Sequence, residues 1–431
     1  MNREARPRGE EMLTLMRDIY PLCRSITGEG VRETLRALGQ HIDLTIGEIA
    51  TGEPAFDWQV PQEWVIRDAW IKGPDGRKLV DFTEHNLHLV NYSAPVHTTL
   101  SRADLEPHLH SLPEHPDWIP YRTTYYHQGW GFCLTQTQRD ALGDGPFEVM
   151  VDSDHIDGSL SYGEYFLPGA SSEEVIFYSH VCHPSLANDN LSGLAVCTFL
   201  AAALTQRDLH YSYRFVFAPG TIGSISWMAH NRDKIRNLRL GLVAVLLGDR
   251  GPLRYKQTRF ADAQIDRIVP QVLAERGHDV IVEPFSPYGY DERQFGSPGI
   301  ALPVGRLTRS AQGGYPQYHT SADNMDLVSA QSLAESLAVC EQIVDVIDSD
   351  FYYLNTAPLG EPQLGRRGLY GNTGGQKVGD WEMAMLWVLN QADGTNSLLD
   401  IAIRSGLSYT EVKAAASNLL AAGLLEKSGS T

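Results

Sequence analysis

The sequence predicts an α/β protein: a mostly parallel sheet with helices on both faces, an inserted small β-rich domain and a C-terminal winged-helix domain. Three observations predict it. From about residue 170, continuous apolar runs of strand length alternate with helical stretches, the pattern of a parallel sheet covered on both sides. Between residues 57 and 150 that rhythm gives way to closely spaced aromatics and turn signals. Beyond the glycine-rich stretch Leu364–Gly375, three short helical patterns follow one another. A chain of 431 residues suits two or three domains. The expected divisions are residues 1–56 with 151–358 for the α/β core, 57–150 for the insertion and 376–431 for the winged helix.

Taken in order, Met12, Leu13, Leu15, Met16, Ile19 and Leu22 recur at helical spacing. Ser25–Gly30 interrupts that pattern and Val31–Leu38 resumes it, so residues 9–40 read as two helices. Ile42–Ile49 alternates like a first strand. In the insertion, Trp64–Ile71 and Leu87–Tyr92 read as strands, and Trp58, Trp64, Trp70, Tyr92, Trp118, Tyr121, Tyr125, Tyr126 and Trp130 read as its core. Glu174–Ser179, Tyr213–Ala218, Leu240–Leu247 and Ile300–Val304 read as buried strands. Leu194–Leu204, a stretch from Ser224, Asp262–Arg276 and Ala330–Ile347 read as helices. In the last domain, Trp381–Leu389, Leu398–Ser405 and Tyr409–Ala422 read as helices, and Leu424–Lys427 begins a wing.

Charge and cysteine content exclude several function classes. The net charge is −18, which argues against nucleic acid or an anionic membrane as the main partner. In the winged helix, Arg404, Lys413 and Lys427 are matched by Asp400, Glu411 and Glu426, so no basic footprint for phosphate exists there. That domain is expected to make protein contacts, with a partner or with a second copy. The five cysteines are scattered, with no CxxC pair, so neither a disulfide framework nor a zinc ribbon is implied, and reduced thiols in a cytoplasm are expected. Met1–Arg8 lacks an apolar core, so no signal peptide is expected. The apolar stretch near residues 191–204 is too short to span a bilayer.

The chemistry gathers in His180–Gly193. Here His180, His183 and Asp189 lie on the turn between a buried strand and a buried helix. Ligands bind at such turns in open α/β sheets, and imidazole and carboxylate are zinc's ligands in catalytic sites. Asn188–Asp189–Asn190 and Ser192–Gly193 favour a sharp turn into the helix. Further polar residues collect at Gly220–Thr221, Asp249, Tyr288–Phe295 and Tyr315–Asp323, the last holding His319.

His180, the Asn188–Asp189–Asn190–x–Ser192–Gly193 turn, Asp249 and His319–Thr320 together resemble the co-catalytic zinc aminopeptidases. The similarity is closer still to a bacterial aminopeptidase-like subgroup with an inserted β-rich domain and a C-terminal winged helix. Pro120–Cys133, Ser179–Asn190, Tyr290–Phe295 and Tyr318–Asp323 carry that likeness, which spans nearly the whole chain. The resemblance implies a zinc-peptidase-like core and a zinc site in which Asp189 matches the metal-bridging carboxylate and His319 the late histidine. Asp249 matches the strand-end acid. His180 stands where the first histidine belongs, with His183 close enough to take its place. Cys182 replaces an acid usual in the family. Gly220 and Thr221 stand where the peptidases carry two adjacent glutamates, one a base and one a ligand, so a single zinc is expected and Gly220 is expected to leave room. Asp291 or Glu292 would then substitute as base, with Tyr318 or Arg293 assisting the oxyanion. The implied function is zinc-dependent hydrolysis of an amide bond next to a free amine, in a small peptide or aminoacyl conjugate. The alternative is a catalytically impaired binding or assembly protein of the same fold.

Overall fold

The computed structural model describes residues 5–310, 314–369 and 379–428. Residues 370–375 of the glycine-rich stretch and the first three of the expected winged helix lie outside the described residues. The chain divides into two compact units, residues 1–266 with 279–338, and 267–278 with 339–431.

The first unit is built on an eight-stranded sheet. Its order is Thr45–Ala50, Ser159–Leu167, Ser212–Ala218, Glu174–His180, Leu238–Ala244, Val304–Thr308, Arg254–Lys256 and Ile281–Glu283. Glu174–His180 pairs in parallel with both neighbours, and Leu238–Ala244 pairs in parallel with Val304–Thr308. The sheet's centre is therefore parallel, as the alternation of strand and helix predicts. Glu174–His180 and Ser212–Ala218 are buried at every position, which is why they read as unbroken apolar runs. Helix Gly193–Leu204 follows the first of these and buries nearly all its length, which explains its small apolar residues.

Two strands are displaced from expectation, Val304–Thr308 sharing only its first residue with the expected Ile300–Val304, and Leu238–Ala244 shifted upstream from Leu240–Leu247. Val304–Thr308 starts after Pro303, which has no N–H for a ladder. Leu238–Ala244 stops before Leu246, whose φ is +50°.

A four-stranded antiparallel sheet follows the order Lys78–Asp81, Glu63–Lys72, Phe147–Ile156 and Val96–Leu100, its third strand running past the expected boundary at residue 150. Leu87–Tyr92 is not a strand. His85 accepts from the Leu87 amide and caps a short turn at Asn86–His88, and Tyr92 has φ +73°. Trp64, Tyr92, Phe132 and Phe147 fill this region's core, together with Ile49, Cys182 and Ile222 from the α/β part. The insertion thus shares a core with the sheet that carries the chemistry.

The second unit has a three-stranded sheet of Asp393–Ser397, Tyr352–Asn355 and Leu425–Lys427, with helices Asp380–Gln391, Leu398–Ser405 and Tyr409–Ala421. Ser397 with Asp400, and Ser408 with Glu411, close reciprocal caps at two helix starts. The central strand Tyr352–Asn355 precedes residue 376, so this fold draws on chain upstream of the expected boundary. Among the described residues no helix is long and apolar enough to cross a membrane.

Candidate active site

Two adjacent parallel strands end at the site. Glu174–His180 delivers His180 with its last residue, and Ser212–Ala218 leads directly into Pro219–Gly220–Thr221. The carboxyl edge of a parallel sheet exposes such loop residues side by side.

The turn Asn188–Asp189–Asn190 is held from both flanks. The Asn188 amide oxygen accepts from the Gly248 and Asp249 amides at 2.9 and 3.1 Å, while its nitrogen donates to the Asp249 carboxylate at 2.7 Å. The Asn190 oxygen accepts from the Leu246 amide at 3.1 Å, and its nitrogen donates to Ser179 Oγ and the His180 carbonyl. Asp323 accepts from the backbone amides of Asn188 and Asp189 at 2.6 and 3.0 Å. Gly193 closes the motif, because a Cβ there would lie 2.5 Å from the Ala244 carbonyl. All these anchors leave the Asp189 carboxylate pointing at histidines. His180 Nε2 lies 2.8 Å from Oδ1 and His319 Nε2 lies 3.1 Å from Oδ2. His183 completes the group: one ligand atom each from His180, His183 and Asp189 falls within 4.8 Å of the others.

Aromatic rings enclose the cluster. Tyr290 stacks on His180 at 5.3 Å, and Tyr318 lies flat on His319 at 3.9 Å. The hydroxyl of Tyr290 donates to that of Tyr318 at 3.4 Å. From the inserted region, Tyr121 approaches His183 at 5.1 Å and His319 at 5.2 Å. Two ligand-bearing residues have backbones that L-residues rarely adopt, with φ +81° at His183 and +56° at His319. Such strain costs on the order of 1–3 kcal/mol per residue and collects at functional sites. Each strained carbonyl is tied down: Arg24 donates to that of His183 at 3.0 Å, and the Tyr121 amide to that of His319 at 2.8 Å.

The donor set fits zinc. Burial pushes His183 down to about 3, helped by the neighbouring His319 and His180, so its imidazole is neutral. Burial alone would raise Asp189; His183, His180 and His319 outweigh it and hold the carboxyl well below its usual range. Neutral imidazole and ionised carboxylate are the forms that bind metal. His180 Nδ1 is buried with no hydrogen-bond partner among the described residues. The residues that would hold the ion are His180, His183, Asp189 and His319.

Several sequence-predicted residues take other places. Asp249 is not in the cluster; its carboxylate accepts from Asn188 and from the Gly251 amide at 2.6 Å, so it positions the turn. Glu292 is fully buried against Lys256 Nζ at 2.8 Å, with Arg306 at 3.9 Å, and that ion pair withdraws it as a base. No hydrogen bond or ion pair joins Arg293 to the cluster among the described residues. Tyr318 is at the site, through its stack on His319.

Asp291 is also at the site. A Cβ added to Gly220 would lie 3.1 Å from Asp291 Oδ2 and 3.2 Å from His180 Cβ. The room expected behind Gly220 is therefore filled by a second carboxylate. Asp291 Oδ1 accepts from Ser224 Oγ at 2.6 Å, while Oδ2 is buried with no hydrogen-bond partner among the described residues. Burial raises this acid to about 6. Arg24, Asp323 and Tyr121 acquire their roles only in three dimensions. For Asp323, its place in the Tyr318–Asp323 motif is the one sequence signal.

A model of the DUF4910 family, described as a domain of unknown function, matches residues 13–350, and one of a winged helix-turn-helix matches residues 351–427. A Clostridium acetobutylicum protein, named as a candidate polysaccharide biosynthesis protein with an aminopeptidase-like domain, is 49% identical over 419 residues, covering 97% of this chain and 96% of that one. A crystal structure of a candidate peptidase from Clostridium acetobutylicum superposes with a TM-score of 0.94 at 47% identity, over 98% of this chain and 97% of the other. A zinc aminopeptidase from Bacillus subtilis shares the fold at 12% identity, with a TM-score of 0.59 over 79% of this chain and 94% of the other. The chain belongs to the DUF4910 family, with an aminopeptidase-like α/β core and a C-terminal winged helix.

Proposed function

We propose that the protein is a zinc-dependent hydrolase that cleaves an amide bond next to a free amine, in a small peptide or aminoacyl conjugate. One observation carries the reading: a buried carboxylate oxygen of Asp291, unpartnered among the described residues, lies 3.1 Å from where a side chain at Gly220 would begin, the position at which the resemblance places a glutamate base. Zinc, when bound, supplies a Lewis acid for the scissile carbonyl and acidifies water. His180, His183, Asp189 and His319 would hold it. Asp291 Oδ2 takes the proton released from water and returns it to the leaving amine, with Ser224 fixing the other oxygen. The paired hydroxyls of Tyr290 and Tyr318 supply donors for the developing oxyanion. Tyr121, Tyr290 and Tyr318 narrow water's access to the histidines, with His319 keeping 33% of its side chain open. The likeness to zinc aminopeptidases supports the reaction class, and the clostridial relative's name points to a substrate from polysaccharide assembly.

A second reading is a binding or assembly protein of the same fold, favoured by Gly220 and Thr221, which offer neither base nor carboxylate ligand. Turnover of aminoacyl anilides and aminoacyl sugar amides by the zinc-loaded full chain separates the two. The hydrolase reading expects measurable turnover that falls by about 10²–10⁴ in Asp291→Asn and vanishes in Asp189→Ala. A zinc-loaded protein inert toward both substrate types supports the binding reading.

A further inference from the structure

Away from the histidines, the first unit carries an open groove of about 720 Å³, within the size range of ligand clefts. Trp58, Phe56 and Tyr126 line it and remain 46%, 47% and 52% exposed. Large apolar rings clustered in water are unfavourable unless something covers them. The Trp58 and Tyr126 rings stand 5.3 Å apart and inclined at 54°, forming two walls of a corner. Phe56 sits in the two-residue turn between Pro54–Ala55 and Trp58–Gln59 with φ +56°. Glycine or asparagine ordinarily takes such a position, so displaying a phenylalanine there costs conformational energy.

The remaining lining identifies the chemistry. Asp57, Gln59 and Gln62 bring planar carboxylate and amide groups to the rings; among the described residues no lysine or arginine lines the groove, and the nearby Arg232 guanidinium is engaged over the Phe56 ring at 5.7 Å. Asp57 and Gln59 are exposed. A single guanidinium packed on a ring, in a lining that also holds the Asp57 carboxylate, is no cradle for phosphate, nucleotides or acidic peptides. A sugar ring matches it. Its C–H faces are apolar and stack on indole and phenol, while its rim of hydroxyls pairs with amides and carboxylates.

We infer that the Phe56–Trp58–Tyr126 groove binds a neutral saccharide, which, on the hydrolase reading above, is the sugar portion of the conjugate being cleaved. Packed side chains join residues of the groove to the site. Tyr126 meets Tyr125 edge-on at 6.4 Å, and the Tyr125 hydroxyl lies 2.5 Å from that of Tyr121, which packs against His183 and His319. On the other side, His230 Nε2 lies 3.2 Å from the Pro54 carbonyl, at the far end of the helix Ile222–His230 that starts beside Gly220.

Isothermal titration of the zinc-loaded full chain with chitotriose, cellotriose and maltotriose tests the groove. Saturable binding of at least one trisaccharide is expected, weakened at least tenfold in Trp58→Ala and Tyr126→Ala and retained in Trp58→Phe. These side chains are exposed, so an unchanged melting temperature is expected and shows that folding is intact. Asp189→Ala should bind sugar as the parent does, so a failure of the hydrolase reading leaves this result untouched. No saturable binding across the panel, binding that survives Trp58→Ala, or preferential binding of a neutral apolar dodecapeptide overturns the inference. Competitive inhibition of aminoacyl sugar amide cleavage by the bound trisaccharide places both on one substrate; non-competitive inhibition overturns that attachment.

Discussion

Gly220→Glu tests whether Asp291 has taken the place of the absent glutamate. A Cβ at position 220 meets Asp291 Oδ2 at 3.1 Å and His180 Cβ at 3.2 Å, so its neighbours must yield by a few tenths of an ångström. Crowding of that kind costs about 1–3 kcal/mol. Gly220 is not in the left-handed region, so alanine there recovers about 0.4–1 kcal/mol through the unfolded chain. Gly220→Ala is therefore expected to lose between about 0 and 2.6 kcal/mol, the difference of these terms. Gly220→Glu adds a carboxylate beside a buried one. Two such charges about 4 Å apart at an effective dielectric near 20 repel by about 4 kcal/mol, so they cannot both ionise cheaply. Urea denaturation should rank the variants parent, Gly220→Ala, Gly220→Glu in falling stability. Anilide turnover by the zinc-loaded Gly220→Glu protein should not exceed the parent's. The double variant Gly220→Glu/Asp291→Ala removes the clash and should recover activity over Asp291→Ala alone. A tenfold or greater gain in Gly220→Glu itself, with an unchanged urea midpoint, would refute the argument that Asp291 fills this position.

Other consequences are as direct. The purified protein should carry about one zinc per chain by mass spectrometry; if the free ion stands at 1,000 times its Kd, chelation should remove about 4 kcal/mol of stability, and an unchanged melting temperature on chelation would count against the site. Asp323→Ala strands the buried amides of Asn188 and Asp189, which should cost about 1–3 kcal/mol for each and weaken zinc binding, with Asp323→Asn milder in both assays. Lys256→Met removes the amine that donates to the Ser286 and Tyr288 carbonyls and to Glu292; breaking that buried pair should cost about 3–5 kcal/mol in urea titrations, and Lys256→Met/Glu292→Gln should recover part of it. The full chain should show no salt-sensitive duplex DNA binding in gel-shift assays, given the balanced charge of residues 376–431.

The sequence revealed what local pattern encodes. Unbroken apolar runs at Glu174–Ser179 and Tyr213–Ala218 marked central strands because both faces of those strands are covered. The Asn188–Gly193 turn announced itself through asparagine, aspartate and glycine at positions where side chains bind backbone. The groups that hold the histidines were not legible, because their partners are remote in the chain. Asp249 resembled a strand-end metal ligand, and Glu292 a loop acid able to serve as base. Only the fold shows that Asn188 and Lys256 occupy them. The aromatic stretch read correctly as core for Trp64, and misleadingly for Trp58 and Tyr126, whose exposure depends on which side of a hairpin or loop they face. Leu87–Tyr92 had the composition of a strand, but a capping histidine and a left-handed tyrosine redirected the backbone.

The ties that secure the strained histidines also impose an order of assembly. Arg24 reaches His183 across 159 residues, and Asp323 reaches Asn188 across 135. Ile119 accepts from the Ser321 amide and donates to its hydroxyl across 202. During synthesis the strand bearing His180 and the turn bearing Asp189 emerge well over a hundred residues before His319 and Asp323. Contacts of such sequence separation close late and slowly. A nascent chain therefore presents an incomplete, loosely held set of ligands until the segment near residue 323 clears the ribosome. On the proposed zinc reading, metal capture would wait for that segment, and a chain truncated before it lacks the clamp that Asp323 places on the Asp189 amide.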